Sequence, residues 1–555
     1  MVQSELLVVI LAGVLALTGT FLVPSEAESA FLLGFSKARW ALGILTEAVL
    51  VGVAAVYLYE RKTGRLEETV SGKLNSERAV RNCFAGLLFG FFICGWLFQF
   101  TWVFVPHNLR PLILWGGAAF LCALILLGTR YRRTIFFYET AEQFRILPRL
   151  KDLNQVQRTS LAVLGILSLI YLAVLYPSEI SGTESSHAWD VYGGDEYVIY
   201  PILRAVMTPG ENFSGTLYHH YIYEDYHYGY PFYAWSAAVL TPLRLFLGSD
   251  FLDRIDRTIP ILRYSVSVLP LMVGCLILVF LVTRFHSPIL SAAVYLFLLT
   301  APGSLQNNQG FWHPDGLNFL FVCAGLYFLQ RDRYRYGRNF FAAAFFVGLS
   351  AATRLYGFFF FLAIAVYLLM GKIRKVSDWR RTFRCGMLFI LIMFGTILWA
   401  DPFLFRSDAR AKMLAILSEK TGEMSSGYGA DFDDPRNDYR PGWNAWYPAF
   451  EDHYTEMYCF FFLVLSLAVG CIFRSEIQLG CRMTMCWWVV ISAYLIFFVA
   501  VKSTQYVLPM MLPLMAHIFT LPLTLPKYKK TAWVLSGGVF LSQLIINLIK
   551  IAPRF

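Results

Sequence analysis

The chain has 555 residues, 57% of them hydrophobic and 15% charged, with a formal net charge of +10. Soluble domains usually carry about 25% charged residues, so a soluble globular protein is excluded. Apolar runs recur along the whole length, and at roughly 17 to 22 residues they are long enough to cross a hydrocarbon core as helix. The fold class is an all-α polytopic membrane protein, a helical bundle and not a barrel.

In chain order the predicted spans are 6–23, 38–59, 83–104, 111–128, 159–176, 263–285, 288–303, 313–330, 339–353, 355–370, 384–400, 457–473, 484–500, 504–522 and 531–549, about 15 in all. The N-terminus lacks a basic stretch and a clear small-residue cleavage site, so 6–23 reads as a retained first span, with a cleaved signal peptide as the alternative. Residues 339–370 form either one bent helix or a tight hairpin. The basic character of both Arg331–Arg338 and Lys372–Lys375 favours the hairpin. If spans alternate, loops 60–82, 129–158, 283–287, 331–338, 371–384, 474–482 and 526–530 share one side and hold 29 of the 47 basic residues. Segments 177–262 and 401–456 share the other side and hold 22 of the 37 acidic residues against 10 basic ones. This positive-inside pattern places the two large loops on the non-cytoplasmic side. It also accounts for the net charge without a nucleic-acid partner.

The ten cysteines are scattered without a CxxC pair, and no disulfide framework or zinc site is indicated. Spans one to four have short outer turns and almost no ionisable residue, so residues 1–150 read as a four-span accessory bundle and 151–555 as the working unit.

The first large loop holds Asp190, then Gly193-Gly194-Asp195-Glu196-Tyr197, a turn into a helix N-terminus. Apolar residues at 198, 199, 202, 203 and 206 keep helical spacing, so this helix is expected to lie along the membrane surface. Spacing leaves Asp195 open as a helix cap or as a catalytic carboxylate, and neighbours on a helix point apart, so Asp195 and Glu196 cannot aim at one atom alike. His313-Pro314-Asp315 is both a good helix start and a candidate polar site. Arg354, inside an apolar stretch, is a functional candidate or a side chain snorkelling to lipid headgroups. His219, His220 and His227 match no closed zinc motif, and the tyrosines around them suit carbohydrate stacking or an interface. Loop 401–456, rich in acids and aromatics, suits either sugar binding or a solvated loop at the membrane surface.

Several stretches together resemble the GT-C superfamily of membrane glycosyltransferases. The likeness is greatest to the branch of protein O-mannosyltransferases, the lipid A aminoarabinose transferase and bacterial lipopolysaccharide-core transferases. The stretches are the Asp195-Glu196 pair, His227-Tyr228-Gly229-Tyr230-Pro231-Phe232-Tyr233, Trp312-His313-Pro314-Asp315-Gly316, Gly348 to Gly357, and Lys502-Ser503-Thr504-Gln505-Tyr506-Val507-Leu508-Pro509. Arg354 stands where Lys is commoner, and Gln505 where Arg is usual, which makes Lys502 the substitute cation. The likeness covers roughly 159–522 and gives no account of spans one to four.

It implies a GT-C type bundle, with a catalytic membrane module at 151–400, a covering loop at 401–456 and C-terminal spans in 457–555. The implied donor is a polyprenyl-phosphate sugar, and the acceptor is a hydroxyl on a glycan, lipid or protein reaching the outer side. Asp195 would be the general base with Glu196 secondary. Arg354, Lys502, Gln505 and Tyr506 would hold the donor phosphate, where a fixed cation stabilises the charge of the leaving group. His313, Asp315, Asp190, Tyr230 and Tyr233 would contact the acceptor. No resident metal is expected, although a divalent cation, Mg or Mn, shared by Asp315 and the first loop stays open. Membrane lipids are the remaining expected partners. The expected location is a bacterial cytoplasmic membrane with the site facing the periplasm or exterior, and the endoplasmic reticulum is the alternative. The rival functions are a lipid-linked sugar flippase or transporter and a non-catalytic assembly subunit.

Overall fold

The computed structural model describes residues 153–554 except 186–188, 190–194, 212, 224, 428–440 and 474, together with 30–32, 35, 36 and 44. Of the first four predicted spans only Ile44 is described, so the accessory bundle lies outside the described residues, as does Asp190. Each of the other eleven predicted spans coincides with helix. Seven helices among the described residues are long and apolar enough to cross a membrane, or nine if two bent pairs each count as one span. The chain is therefore a helical membrane protein, and fifteen spans are not reached among these residues.

The chain divides into two units: residues 142–200, 224–239 and 254–555 form one, and 201–223 and 240–253 group with the chain before Glu142. In the latter unit Ala30–Leu32 pairs antiparallel with Phe35–Ser36, a small departure from an all-α reading. There His219 and His220 turn their Nδ1 atoms toward the carbonyl oxygens of Thr208 and Val206.

In the larger unit, burial separates the centre from the periphery. The most apolar stretch of the Thr504–Thr524 run is 94% buried, whereas those of Gln155–Ile180 and Trp379–Ala400 are 17% and 22% buried. Apolar side chains such as Leu169, Ile166, Phe383 and Leu391 are exposed on the peripheral helices. Such faces are stable only against hydrocarbon, because lipid tails are as apolar as the side chains themselves.

Three local features shape the end of the bundle that carries the site. First, Pro288–Leu299 and Pro302–Asn308 meet at 66°, with Pro302 unable to continue the ladder of the preceding helix. Second, Trp443–His453 and Met457–Ile472 meet at 97°. Its first limb and the Ser407–Ser426 helix lie in what reads from sequence as an outer loop, 401–456. The Trp443–His453 helix is held because its aromatic residues find partners: Trp446 and Phe450 are fully buried, and Trp446 Nε1 donates to Val499 O at 2.8 Å. Third, the Arg338–Arg354 helix ends at Leu355, which takes a left-handed conformation (φ 60°). The following turn, Tyr356–Phe360, folds back so closely that a Cβ on Gly357 would lie 2.0 Å from Val347 O. This is the hairpin that the two basic loops favour.

Candidate functional site

Asp195–Met207 is helical, and the Gly193-Gly194 turn expected before it lies outside the described residues. Successive helical residues point about 100° apart, and the two acids part accordingly: Asp195 is exposed and Glu196 fully buried.

Glu196 meets Arg263, the first residue of a π-helical turn, Arg263–Val268, that interrupts one long span. Such turns often occur at functional sites. Arg263 grips the carboxylate with two parallel bonds, Nε to Oε1 at 2.8 Å and Nη2 to Oε2 at 2.7 Å. Its Nη1 donates to the carbonyl oxygens of Glu179 and Ser181 at 2.7 and 3.0 Å. Glu196 also accepts from Trp312 N at 2.6 Å and from Trp189 Nε1 at 3.3 Å. Its lone pairs are engaged, so the secondary catalytic role expected of Glu196 is corrected to that of a structural anchor.

What the anchor holds is the segment 310–314. Gly310 N donates to Glu179 Oε1 at 3.2 Å, Trp312 N to Glu196, and His313 N to Ser267 Oγ at 2.9 Å. Gly316 allows the next helix, Asp315–Asp332, to approach, since a Cβ there would lie 2.2 Å from Ser267 O. Two carboxylates and a serine thus set the position of His313.

His313 is the centre of a second cluster. Its Nδ1 is paired with the Asp315 carboxylate, and its Nε2 is 2.7 Å from the Tyr228 hydroxyl. Arg354, last residue of its helix, places Nη2 at 3.1 and 2.9 Å from the two ring nitrogens and donates to Asp315 Oδ2 at 3.2 Å. Arg354 Nε also lies 3.2 Å from Asp315 Oδ1, but without hydrogen-bond alignment, so both atoms keep unused bonding capacity. The guanidinium is covered by two rings, with centroids at 4.8 Å for Tyr228 and 5.7 Å for Tyr506, a cation–π arrangement. Arg354 remains 14% exposed, so the cluster has an opening through the cation. Asp195 is close enough for its charge to act on both Tyr228 and His313. Burial pushes the Tyr228 phenol above its ordinary value, with Asp195 and Asp315 adding to the rise and Arg354 opposing it.

Tyr228 is positioned by the stretch that follows it. Gly229 N donates to Thr353 O at 3.3 Å, and a Cβ on Gly229 would lie 1.7 Å from Ala352 O, so only glycine fits against the end of the Arg354 helix. Tyr230 N donates to Asp401 Oδ1 at 2.8 Å. Asp401 is buried, and burial raises its carboxyl well above the ordinary carboxylate range.

No known protein family, characterised protein or solved structure matches this chain.

Of the predicted site residues, His313, Asp315, Arg354 and Tyr506 come together, with Asp195 in electrostatic reach. His313 and Asp315 are buried beneath Arg354, so they support the cation and do not face an acceptor directly. Lys502 donates to Ala500 O at 2.9 Å and lies 5.9 Å from the Trp446 ring, while Gln505 accepts from the Ser503 hydroxyl within its own turn. The Tyr230 and Tyr233 side chains, expected to contact the acceptor, are buried. Sequence reasoning did not single out Glu179, Arg263 or Asp401, and it read Tyr228 only as one of several tyrosines suited to carbohydrate stacking or an interface. An arginine at the head of an apolar span is a signal that could have found Arg263. Asp401 carries no such mark.

Proposed function

We propose that the protein is a glycosyltransferase that moves a sugar from a polyprenyl-phosphate donor to a hydroxyl of a glycan, lipid or protein acceptor. In this reading the acceptor oxygen forms a bond to the anomeric carbon as the bond from that carbon to the phosphate oxygen breaks. Asp195 takes the hydroxyl proton, and the polyprenyl phosphate departs with the electron pair. A positioned carboxylate suits the first role. The growing negative charge on the phosphate is best met by a cation already fixed in a poorly solvated place, so that no reorganisation is needed as the bond breaks.

The observation that carries the reading is Arg354, held by Asp315 and His313, walled by Tyr228 and Tyr506 and partly exposed, with the charge of the exposed Asp195 reaching Tyr228 and His313. The apolar groove of about 590 Å³ lined by Leu172, Tyr176, Tyr264 and Leu269 offers a bed for a prenyl chain, and Tyr264 is the immediate neighbour of Arg263. A flippase or transporter of lipid-linked sugar is the second reading, because spans bent by 66° and 97° are discontinuities of the kind transporters use around substrates.

The test is purified protein incubated with radiolabelled polyprenyl-phosphate sugars, with and without membrane extract. Label appearing on an acceptor, and lost in Asp195→Asn while that variant still inserts and folds, is the expected result. Near-normal transfer by Asp195→Asn overturns the base assignment, and lipid crossing a liposome without transfer favours the second reading.

A further inference from the structure

The helix that opens with Asp315 ends at Asp332, about 27 Å away at 1.5 Å per residue, and there four arginines share one cavity. Its volume is about 210 Å³, and Arg284, Arg331, Arg333 and Arg335 line it. Phe280 and Tyr327 form apolar walls and also hold two of the guanidiniums: Arg284 lies 5.2 Å from the Phe280 centroid and Arg331 5.9 Å from that of Tyr327.

Asp332 accepts from Tyr336 N and Gly337 N at 2.9 and 2.8 Å and from the Tyr367 hydroxyl at 2.5 Å, so its carboxylate is engaged by its own turn and by a neighbouring helix. Glu476 is the acid whose charge reaches Arg284, while Arg333 repels it. Arg374, 5.0 Å from the Tyr334 ring, and Arg381, donating to Arg335 O at 3.1 Å, add two more cations nearby.

One further observation points to a ligand. Gln330 also lines the cavity, and although it is 2% exposed its Oε1 accepts no hydrogen bond. A buried acceptor of this kind is costly unless something donates to it. The two turns that bring the arginines together are built on left-handed residues other than glycine, Arg284 (φ 52°), Phe285 (φ 56°), Arg333 (φ 50°) and Tyr334 (φ 65°). Arg284 and Arg333 are the caps that close their helices in this left-handed conformation.

We propose that this cavity binds a phosphate ester whose other arm carries a hydroxyl, with the arginines meeting the phosphate and Gln330 Oε1 accepting from the hydroxyl. Arginine suits the task because its planar N–H groups match phosphate oxygens two at a time. The chemistry is shared by the headgroups of anionic glycerophospholipids and by soluble glycerol or sugar phosphates. Basic pockets between membrane helices take the former. The charge pattern of the sequence puts this end on the cytoplasmic side, remote from the Arg354 cluster, and the site does not depend on the proposed transfer reaction.

The test is native mass spectrometry of the full chain in neutral detergent, mixed with phosphatidylglycerol or phosphatidylcholine of matched acyl chains, and separately with glycerol phosphate. The wild type should retain phosphatidylglycerol several-fold over phosphatidylcholine, and Arg333→Gln/Arg335→Gln should bring the two to parity. Both positions are exposed, so that variant should fold; Arg284→Gln is the companion on the half-buried side. Displacement of the lipid by millimolar glycerol phosphate assigns the site to soluble phosphates as well, and resistance to it assigns the site to lipid. Equal retention of both lipids by the wild type with no glycerol phosphate bound, or a preference that survives both variants, overturns the proposal.

Discussion

Two ion pairs near the same end of the larger unit use the same chemistry to different ends. In Glu196–Arg263 the side chains are 0% and 3% exposed, the pairing is bidentate, and the remaining Arg263 Nη1 and Glu196 lone pairs meet backbone and indole groups. In Asp315–Arg354 the acid is 1% exposed but the arginine 14%, one contact lacks hydrogen-bond alignment, and the faces of the cation are covered by rings. A saturated pair can only hold structure. A pair with unused capacity on an accessible cation can take another anion without first breaking what holds it in place. The first pair fixes the segment 310–314, and through His313 that segment fixes the second.

The largest expected effect falls on the open pair. Arg354→Ala should lower sugar transfer by about 100-fold or more, the scale of losing one donor to a developing oxyanion, and raise the donor concentration needed, with Arg354→Lys retaining more. Kinetics at varied donor concentration check this, and an Arg354→Ala variant as active as the wild type breaks the contrast. Next comes the closed pair. Arg263→Met should destabilise the protein by about 3–5 kcal/mol, because it leaves a buried carboxylate unpaired, and Glu196→Leu in addition should restore much of the loss. Thermal unfolding in detergent reads both, and transfer per folded molecule should fall less than in Arg354→Ala. Tyr228→Phe removes one hydrogen bond and keeps the ring over the cation, so stability should drop by about 1 kcal/mol and transfer by less than in Arg354→Ala.

The smallest effect is a pH dependence. Asp401 is raised well above the ordinary carboxylate range, so the folded chain holds its proton more tightly than the unfolded one. The stability this contributes is complete below the unfolded value of about 3.9 and is lost as pH rises through the folded value. Asp401→Asn keeps an oxygen for Tyr230 N–H, so its melting temperature should fall less than that of the wild type between pH 5 and pH 8.

Much of the fold was legible because apolar length and helix punctuation are local. The spans predicted at 504–522 and 457–473 appear as Thr504–Thr524 and Met457–Ile472, and Asp315 begins its helix as the His-Pro-Asp signal indicates. The Trp443–His453 helix inside 401–456 was hidden because Trp446 and Phe450 anchor it by reaching the core, which spacing alone does not reveal. The candidate site was half legible. Arg354 and Asp315 stand out as charges beside apolar runs, whereas the pairing of Glu196 with Arg263 joins residues 67 positions apart and has no local trace.

The sequence by itself determined that this is a helical membrane protein and where its charged residues interrupt apolar helices, because hydrophobic length and backbone capping act over a few residues. Only the tertiary structure decided which of those charges is closed off by partners and which stays open. That outcome depends on how many hydrogen bonds distant segments bring to each carboxylate and each cation, which no stretch of chain specifies alone.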